Sequence, residues 1–197
     1  MPKQLLIIFV KNIVLGKVKT RLAKTIGNEN AFNIYKELVS ITENATKNLS
    51  IKKHIYFSDE IINSKWVNDD KFVQTGKNIG ERMANAFKAS FDKGYEQIIL
   101  IGSDLPDLTS EIILDGFKAL NQNKIVFGPA EDGGYYLIGM NTFNNSLFQN
   151  KPWSQTNLLK TTLQELNNFT LLSELNDIDT IDDLKKSSLN ISFQTNL

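Results

Sequence analysis

Four short, unbroken apolar runs punctuate the chain: Leu5 to Val10, His54 to Phe57, Ile98 to Ile101 and Ile125 to Phe127. Runs of this length without alternation belong to strands covered on both faces, the arrangement of a parallel sheet sandwiched between helices. Between them, apolar positions fall at three- and four-residue steps. Phe32, Tyr35, Leu38, Val39, Thr42 and Ala45 form one such stripe in a segment from Ala31 to Leu49, and Ile79, Met83, Ala86, Phe87 and Phe91 form another. Both predict amphipathic helices packed on the sheet. A third helix is expected near Thr109-Ser110-Glu111, where a hydroxyl can cap it, and a fourth through Leu158, Leu159, Thr162, Leu163 and Leu166. The polar stretch from Lys185 to Leu197 reads as a terminal helix and tail. The expected fold is α/β: a Rossmann-like open, mostly parallel sheet with helices on both faces, built as a single domain over residues 1–197.

Composition narrows the function classes. At 197 residues the chain suits one domain of the usual ~100–200 residues. Its 22 Lys plus Arg balance 22 Asp plus Glu, so no global field exists to hold a polyanion, and a nucleic-acid partner is not expected. With 0 Cys there is neither disulfide nor thiol chemistry, which suits a reducing compartment. No uncharged run approaches the ~20 residues of a membrane span, and a cytoplasmic location is the working expectation.

In open α/β sheets ligands bind beyond the carboxyl ends of the strands, so the residues just after the apolar runs carry the functional reading. After the first run, Lys11 to Leu22 holds Lys11, Gly16, Lys17, Lys19, Thr20 and Arg21. Lysine supplies point charge, arginine a bidentate fork, and a glycine admits backbone amides close to an anion, so this loop is a candidate phosphate cradle. It is not a Walker A loop, and a solvated basic loop is the alternative. After the third run, Gly102-Ser103-Asp104-Leu105-Pro106-Asp107 delivers a carboxylate at a strand end. Asp104 is the first candidate ligand for a hard divalent cation such as Mg²⁺; Asp107 reads as a residue near a helix start.

After the fourth run comes Gly128-Pro129-Ala130-Glu131-Asp132-Gly133-Gly134. Asp-Gly-Gly fits a turn between strands, and equally an acidic group beside permissive backbone that holds a substrate hydroxyl. Asp132 is a candidate base or second-site ligand, with Gly133 and Gly134 beside the substrate. In Asp177-Ile178-Asp179-Thr180, Asp179 or Thr180 can cap a helix; Asp179 becomes a second metal ligand only where the fold brings it to Asp104. His54, the sole histidine, reads as structural.

Five motifs in order resemble the bacterial DUF2064 family, grouped with glycosyltransferases of the nucleotide-diphospho-sugar transferase superfamily (GT-A fold). They are Lys11 with Gly16 and Val18-Lys19-Thr20-Arg21-Leu22; Gln74-x-Gly76 with Gly80-Glu81-Arg82-Met83; Gly102-Ser103-Asp104-x-Pro106; Gly128-Pro129-Ala130-x-Asp132-Gly133-Gly134-Tyr135-Tyr136; and Asp177-Ile178-Asp179-Thr180. More remotely the chain is similar to molybdenum-cofactor nucleotidyltransferases and phospholactate guanylyltransferases. Ile13 and Ile181 stand where the family usually has proline, which presets φ and suits a first helical turn.

The resemblance implies a transferase that uses Mg²⁺ or Mn²⁺, a nucleotide or nucleotide-sugar and a small-molecule acceptor. Asp104, with Asp179, would hold the metal; Lys19 and Arg21 would neutralise phosphate; Asp132 would take the acceptor proton in an inverting sugar transfer. Transfer of a nucleotidyl group from an NTP to a phosphorylated acceptor is the alternative within enzymes and needs no such base. A non-catalytic nucleotide-binding module is the alternative outside them. Trp153, in Lys151-Pro152-Trp153-Ser154, is a platform for an acceptor ring or a rim aromatic.

Overall fold

The computed structural model describes residues 2–189, one domain around a seven-stranded sheet. The strands are β1 (Gln4–Val10), β2 (Lys52–Phe57), β3 (Asp70–Val73), β4 (Gln97–Ile101), β5 (Ile125–Pro129), β6 (Tyr135–Met140) and β7 (Thr170–Leu171). Their spatial order is β3-β2-β1-β4-β6-β5-β7, all parallel to their neighbours except β6, which runs against β4 and β5. The helices are α1 (Thr20–Ile26), α2 (Asn28–Lys47), α3 (Ile79–Asp92), α4 (Ser110–Ala119), α5 (Leu158–Leu163) and α6 (Ile181–Lys186), with a 3₁₀ turn at Asn145–Phe148. No helix among the described residues is long and apolar enough to cross a membrane.

The continuous apolar runs are continuous because both faces are covered. Leu6, Ile8 and Val10 of β1 pack in one core with Ile34, Leu38 and Phe117; Leu5, Ile7 and Phe9 pack in the other with Met83, Phe87 and Phe148. β4 divides the same way, Ile99 and Ile101 against Ile98 and Leu100, as side chains alternate across a strand. The sheet's edges are short, four residues in β3 and two in β7, which limits unpaired backbone open to other chains.

The differences from expectation have local causes. β3 is an edge strand with half-exposed or exposed side chains, so it shows no apolar run. α1 occupies part of the segment read as a loop: it starts after Lys19, whose backbone is left-handed (φ 46°), with no side-chain cap and no acidic residue in its first turn. α5 ends at Leu163 rather than reaching Leu166. The terminal helix is α6, ending at Lys186; residues 190–197 of the expected tail lie outside the described residues. Although Ile181 replaces the family's proline, Thr180 starts α6 with a reciprocal capping box to Asp183.

His54 is buried in β2, its ring 4.9 Å from Phe72 and edge-on to Tyr95 at 5.5 Å. Burial, then the Lys93 charge, pushes its pKa down to about 4 from the ordinary 6.5. Between those values the unfolded chain binds more protons than the native one, so stability rises with pH across the window and is lost as pH falls through it. Chemical denaturation of the parent and of His54→Gln at pH 4.5 and 7 should show it as the difference between the two: unfolding free energy should gain more from pH 4.5 to 7 in the parent than in the variant.

Candidate functional site

Strand order places the site. The chain leaves β1 toward β2 on one side and returns through β4 on the other, so the crevice between the carboxyl ends of β1 and β4 is a topological switch point. Antiparallel β6 adds a third edge there. Ile101 pairs with Leu137, and the Gly102 amide donates to the Tyr136 carbonyl at 3.3 Å, so the β5–β6 turn carrying Asp132 arrives beside Asp104. The segment before α6 is fastened to the same edge: Leu175 donates to the Pro129 carbonyl at 3.1 Å and Ile178 to the Asp104 carbonyl at 3.2 Å.

Lys19 occupies the middle. Its Nζ lies 3.2 Å from Asp104 Oδ2 and 3.1 Å from Asp179 Oδ1, with the side chain only 6% exposed. Burial by itself lowers a lysine pKa, but the two carboxylates outweigh it and hold Lys19 charged, above its ordinary value. The meeting of Asp179 with Asp104 that the sequence left open thus occurs through this ammonium. Arg21 reaches Asp179 Oδ2 at 3.5 Å from a mostly exposed position, a contact weak in water.

Two hollows adjoin Asp104 and share Phe9, Ile79 and Gly102 with it. One, of about 330 Å³, holds Asp132, Gly134, Tyr135, Trp153 and Asp177. Asp132 Oδ1 accepts the Gly134 amide at 2.7 Å, which fixes the carboxylate at the turn. Burial, then the facing Asp104 and Asp132, pushes the Asp177 carboxyl up to about 7. The other hollow, of about 310 Å³, holds Lys11, Ser58, Gln74 and Arg82. Arg82 is oriented by the Gly76 carbonyl (3.2 Å) and Gln74 Oε1 (3.3 Å); among the described residues neither it nor Lys11 has an ion-pair partner.

Hydrogen bonds tie the frame behind these groups together. Tyr35 of α2 accepts the Lys11 amide and meets Ser103 Oγ, both at 2.9 Å, which ties the ends of β1 and β4 together. Buried Asn12 accepts from the Asp59 amide at 2.9 Å and donates to the Glu60 carbonyl at 2.8 Å, holding the loop after β1 to the one after β2.

The fold therefore gathers Lys19, Arg21, Asp104 and Asp179, sets Asp132, Gly134 and Trp153 along one hollow, and sets Lys11 along the other. Gly16 lies apart in an exposed turn (φ 77°), and Thr20 is the first residue of α1. Gly133 faces away, at φ 87° against the Thr156 carbonyl, where a β-carbon would overlap backbone. Its requirement for glycine is one of packing. Asp177 and Arg82 appear in the sequence only as members of motifs, with no role of their own. Arg82 sits on a helix whose polar positions resemble a solvated face; its place between Ile79 and Met83 is the signal that turns it inward.

Removing Lys19 leaves Asp104 and Asp179 to repel each other, so Lys19→Met should lower unfolding free energy by about 2 kcal/mol, less than for a fully buried pair because both carboxylates are partly exposed. A double-mutant cycle with Asp104→Asn, read by urea denaturation, should show strong coupling between the two sites.

Residues 57–155 match the family DUF2064, described as uncharacterized protein conserved in bacteria. No curated protein matches the chain. Among solved structures, that of a candidate nucleotide-diphospho-sugar transferase from Desulfovibrio desulfuricans G20 is 28% identical, covers 100% of this chain and 96% of its own, and superposes with a TM-score of 0.88. A cytidylyltransferase from Leptospira borgpetersenii serovar Hardjo-bovis shares the fold at 14% identity (TM-score 0.60, 94% of this chain and 84% of its own). So does a CMP:2-keto-3-deoxy-manno-octonic acid synthetase complexed with CTP, at 11% identity (TM-score 0.56, 98% of this chain and 99% of its own). With half of its length in that match, the chain belongs to the DUF2064 family.

Proposed function

We propose that the chain is a glycosyltransferase that takes a sugar from a nucleotide-diphospho-sugar donor with the help of Mg²⁺ or Mn²⁺. The observation that carries this reading is the Asp104–Lys19–Asp179 cluster at the β1/β4 switch point, set between a cation-lined hollow and a carboxylate-lined one.

The donor set suits a hard cation. Lys19 uses Asp104 Oδ2 and Asp179 Oδ1, so Asp104 Oδ1 remains, and Asp179 Oδ2 meets only the exposed Arg21 at 3.5 Å, on side chains 38% and 39% exposed. Among the described residues no three acidic or imidazole groups converge on one point, and Mg²⁺ commonly needs only one or two carboxylates, with phosphate oxygens and water completing its shell. Asp104 and Asp179 would hold such an ion, whose chemistry is to neutralise the diphosphate leaving group.

This chain's own residues supply the rest. Lys11 and Arg82 are cations without acidic partners among the described residues, so the donor phosphates belong in their hollow; Arg21 is held only loosely, by Asp179. Lys19 keeps Asp104 and Asp179 in register rather than facing the substrate. In the other hollow, Asp132 accepts the acceptor's hydroxyl proton as that oxygen bonds to the anomeric carbon and the nucleoside diphosphate departs with the electron pair of the broken C–O bond. The small-molecule acceptor occupies this side, beside Gly134 and Trp153.

Nucleotidyl transfer, the related chemistry on this fold, leaves pyrophosphate instead of a nucleoside diphosphate. Purified protein given nucleotide-sugars and hydroxyl acceptors should release nucleoside diphosphate only with Mg²⁺ or Mn²⁺, followed by ³¹P NMR. Asp104→Asn should cost about a hundredfold or more and Asp132→Asn about 10²–10⁴-fold. Pyrophosphate released from an NTP, with no turnover of any nucleotide-sugar, would overturn the proposal.

A further inference from the structure

A hollow of about 630 Å³ lies outside the reaction cleft on the other flank of α3. Trp153 borders both spaces: it lines the cleft with Asp132 and lines this hollow with Asn78, Asn85, Asn145, Gln149 and Asn150. The indole lies directly on α3 at Gly80, where a β-carbon would meet ring atoms at 2.5 and 2.7 Å, so this contact exists only because position 80 has no side chain.

The loop that presents the tryptophan is held in an uncommon shape. Asn150 and Ser154, on either side, both adopt positive φ (54° and 63°), which costs a non-glycine residue of order 1 kcal/mol or more and persists only where the surroundings enforce it. Lys151 enforces it: its side chain is 1% exposed and its ammonium sits 2.6 Å from both oxygens of Glu165. The Trp153 amide closes a turn onto the Lys151 carbonyl at 2.9 Å.

The lining chemistry selects a class of ligand. Among the described residues Lys151 is the one cation bordering the hollow, Glu165 already neutralises it, and Glu81 adds a carboxylate to the lining, so nothing here attracts phosphate. Primary amides dominate. Asn145, Gln149 and Asn150 make no side-chain hydrogen bond within the described residues, and Asn85 uses only its Nδ2, toward the Thr75 carbonyl. An amide presents donors and an acceptor side by side, matching hydroxyl groups that each donate and accept, while an indole face covers the apolar face of a ring.

We infer that this hollow is a subsite for a neutral saccharide, the part of the acceptor remote from the reacting hydroxyl, with Trp153 as the wall it shares with the cleft. The inference rests on the sugar-transfer reading of the Asp104 cleft and deepens it by naming the acceptor's class.

The two tryptophans separate cleanly, because Trp66 is buried with its Nε1 bonded to Thr46 Oγ1 at 3.0 Å while Trp153 is partly open. The indole N–H resonances, assigned with Trp153→Phe, are followed by ¹⁵N NMR during titration with methyl glycosides and short oligomers of glucose, galactose, mannose and N-acetylglucosamine, with nucleotide-sugar and Mg²⁺ titrated separately. A saccharide in this series should shift the Trp153 signal and not that of Trp66 at millimolar concentration. The exposed pair Asn145→Ala/Gln149→Ala should weaken that shift about tenfold or more in affinity while folding is retained. If nucleotide-sugar binds and no saccharide moves Trp153, or if the double variant binds saccharide as tightly as the parent, the subsite is wrong and the transferase reading stands. If a saccharide moves Trp153 and no nucleotide binds, the subsite stands and the transferase reading fails.

Discussion

One buried ammonium joins three distant parts of this chain. Lys19 follows the first strand, Asp104 follows the fourth and Asp179 precedes the last helix, and the two contacts that Lys19 makes span 85 and 160 residues of sequence. A lysine side chain so nearly removed from water is tolerated only with its charge answered, and both answering groups are placed by backbone rather than by chance. Lys19 itself sits at a left-handed residue where β1's loop turns into α1, and the Ile178 amide bonds the carbonyl of Asp104. The cluster is therefore a structural clamp and a polarised centre at once.

The sheet explains why chemistry concentrates there. Parallel β1 and β4 bring two loops to one edge, and reversal at β6 folds the β5–β6 turn back over the same edge, which a wholly parallel order would not do. The result is asymmetric in charge. On one side of Asp104, Lys11 and Arg82 face a hollow without acidic partners; on the other, Asp132 and Asp177 crowd close enough for burial and mutual repulsion to raise a carboxyl. An anionic donor and a hydroxyl acceptor want opposite surroundings, and this edge offers both within one crevice.

How much of this was legible follows from physical range. Strands covered on both faces announce themselves as unbroken apolar runs, α2 and α3 as apolar stripes and α4 by the hydroxyl that caps its start, so the fold class was readable. β3 was not, being a half-exposed edge, nor was α1, which begins without a cap. Within the site, Asp104 was marked by the strand that ends in it, whereas the pairing of Lys19 with both Asp104 and Asp179 is a contact between residues far apart in sequence that no local pattern encodes. Lys11, Lys19 and Arg21 were read as partners for phosphate; the fold turns Lys19 inward onto carboxylates and leaves Lys11, joined by Arg82, lining a hollow with no ion-pair partner among the described residues. Gly133 was read as a substrate neighbour, and close packing on Thr156 is the demand it meets.

The central claim is that Asp104 and its partners form a metal-assisted site for a nucleotide-sugar. The most direct test is the melting temperature of the purified protein against nucleoside diphosphates, triphosphates and nucleotide-sugars, with and without Mg²⁺ or Mn²⁺, for the parent chain and Asp104→Asn. A ligand that binds only the native state raises that temperature. The account predicts a rise with a nucleotide-sugar that requires the metal and disappears in the variant; equal rises in the parent and in Asp104→Asn, or no rise with any nucleotide, would contradict it.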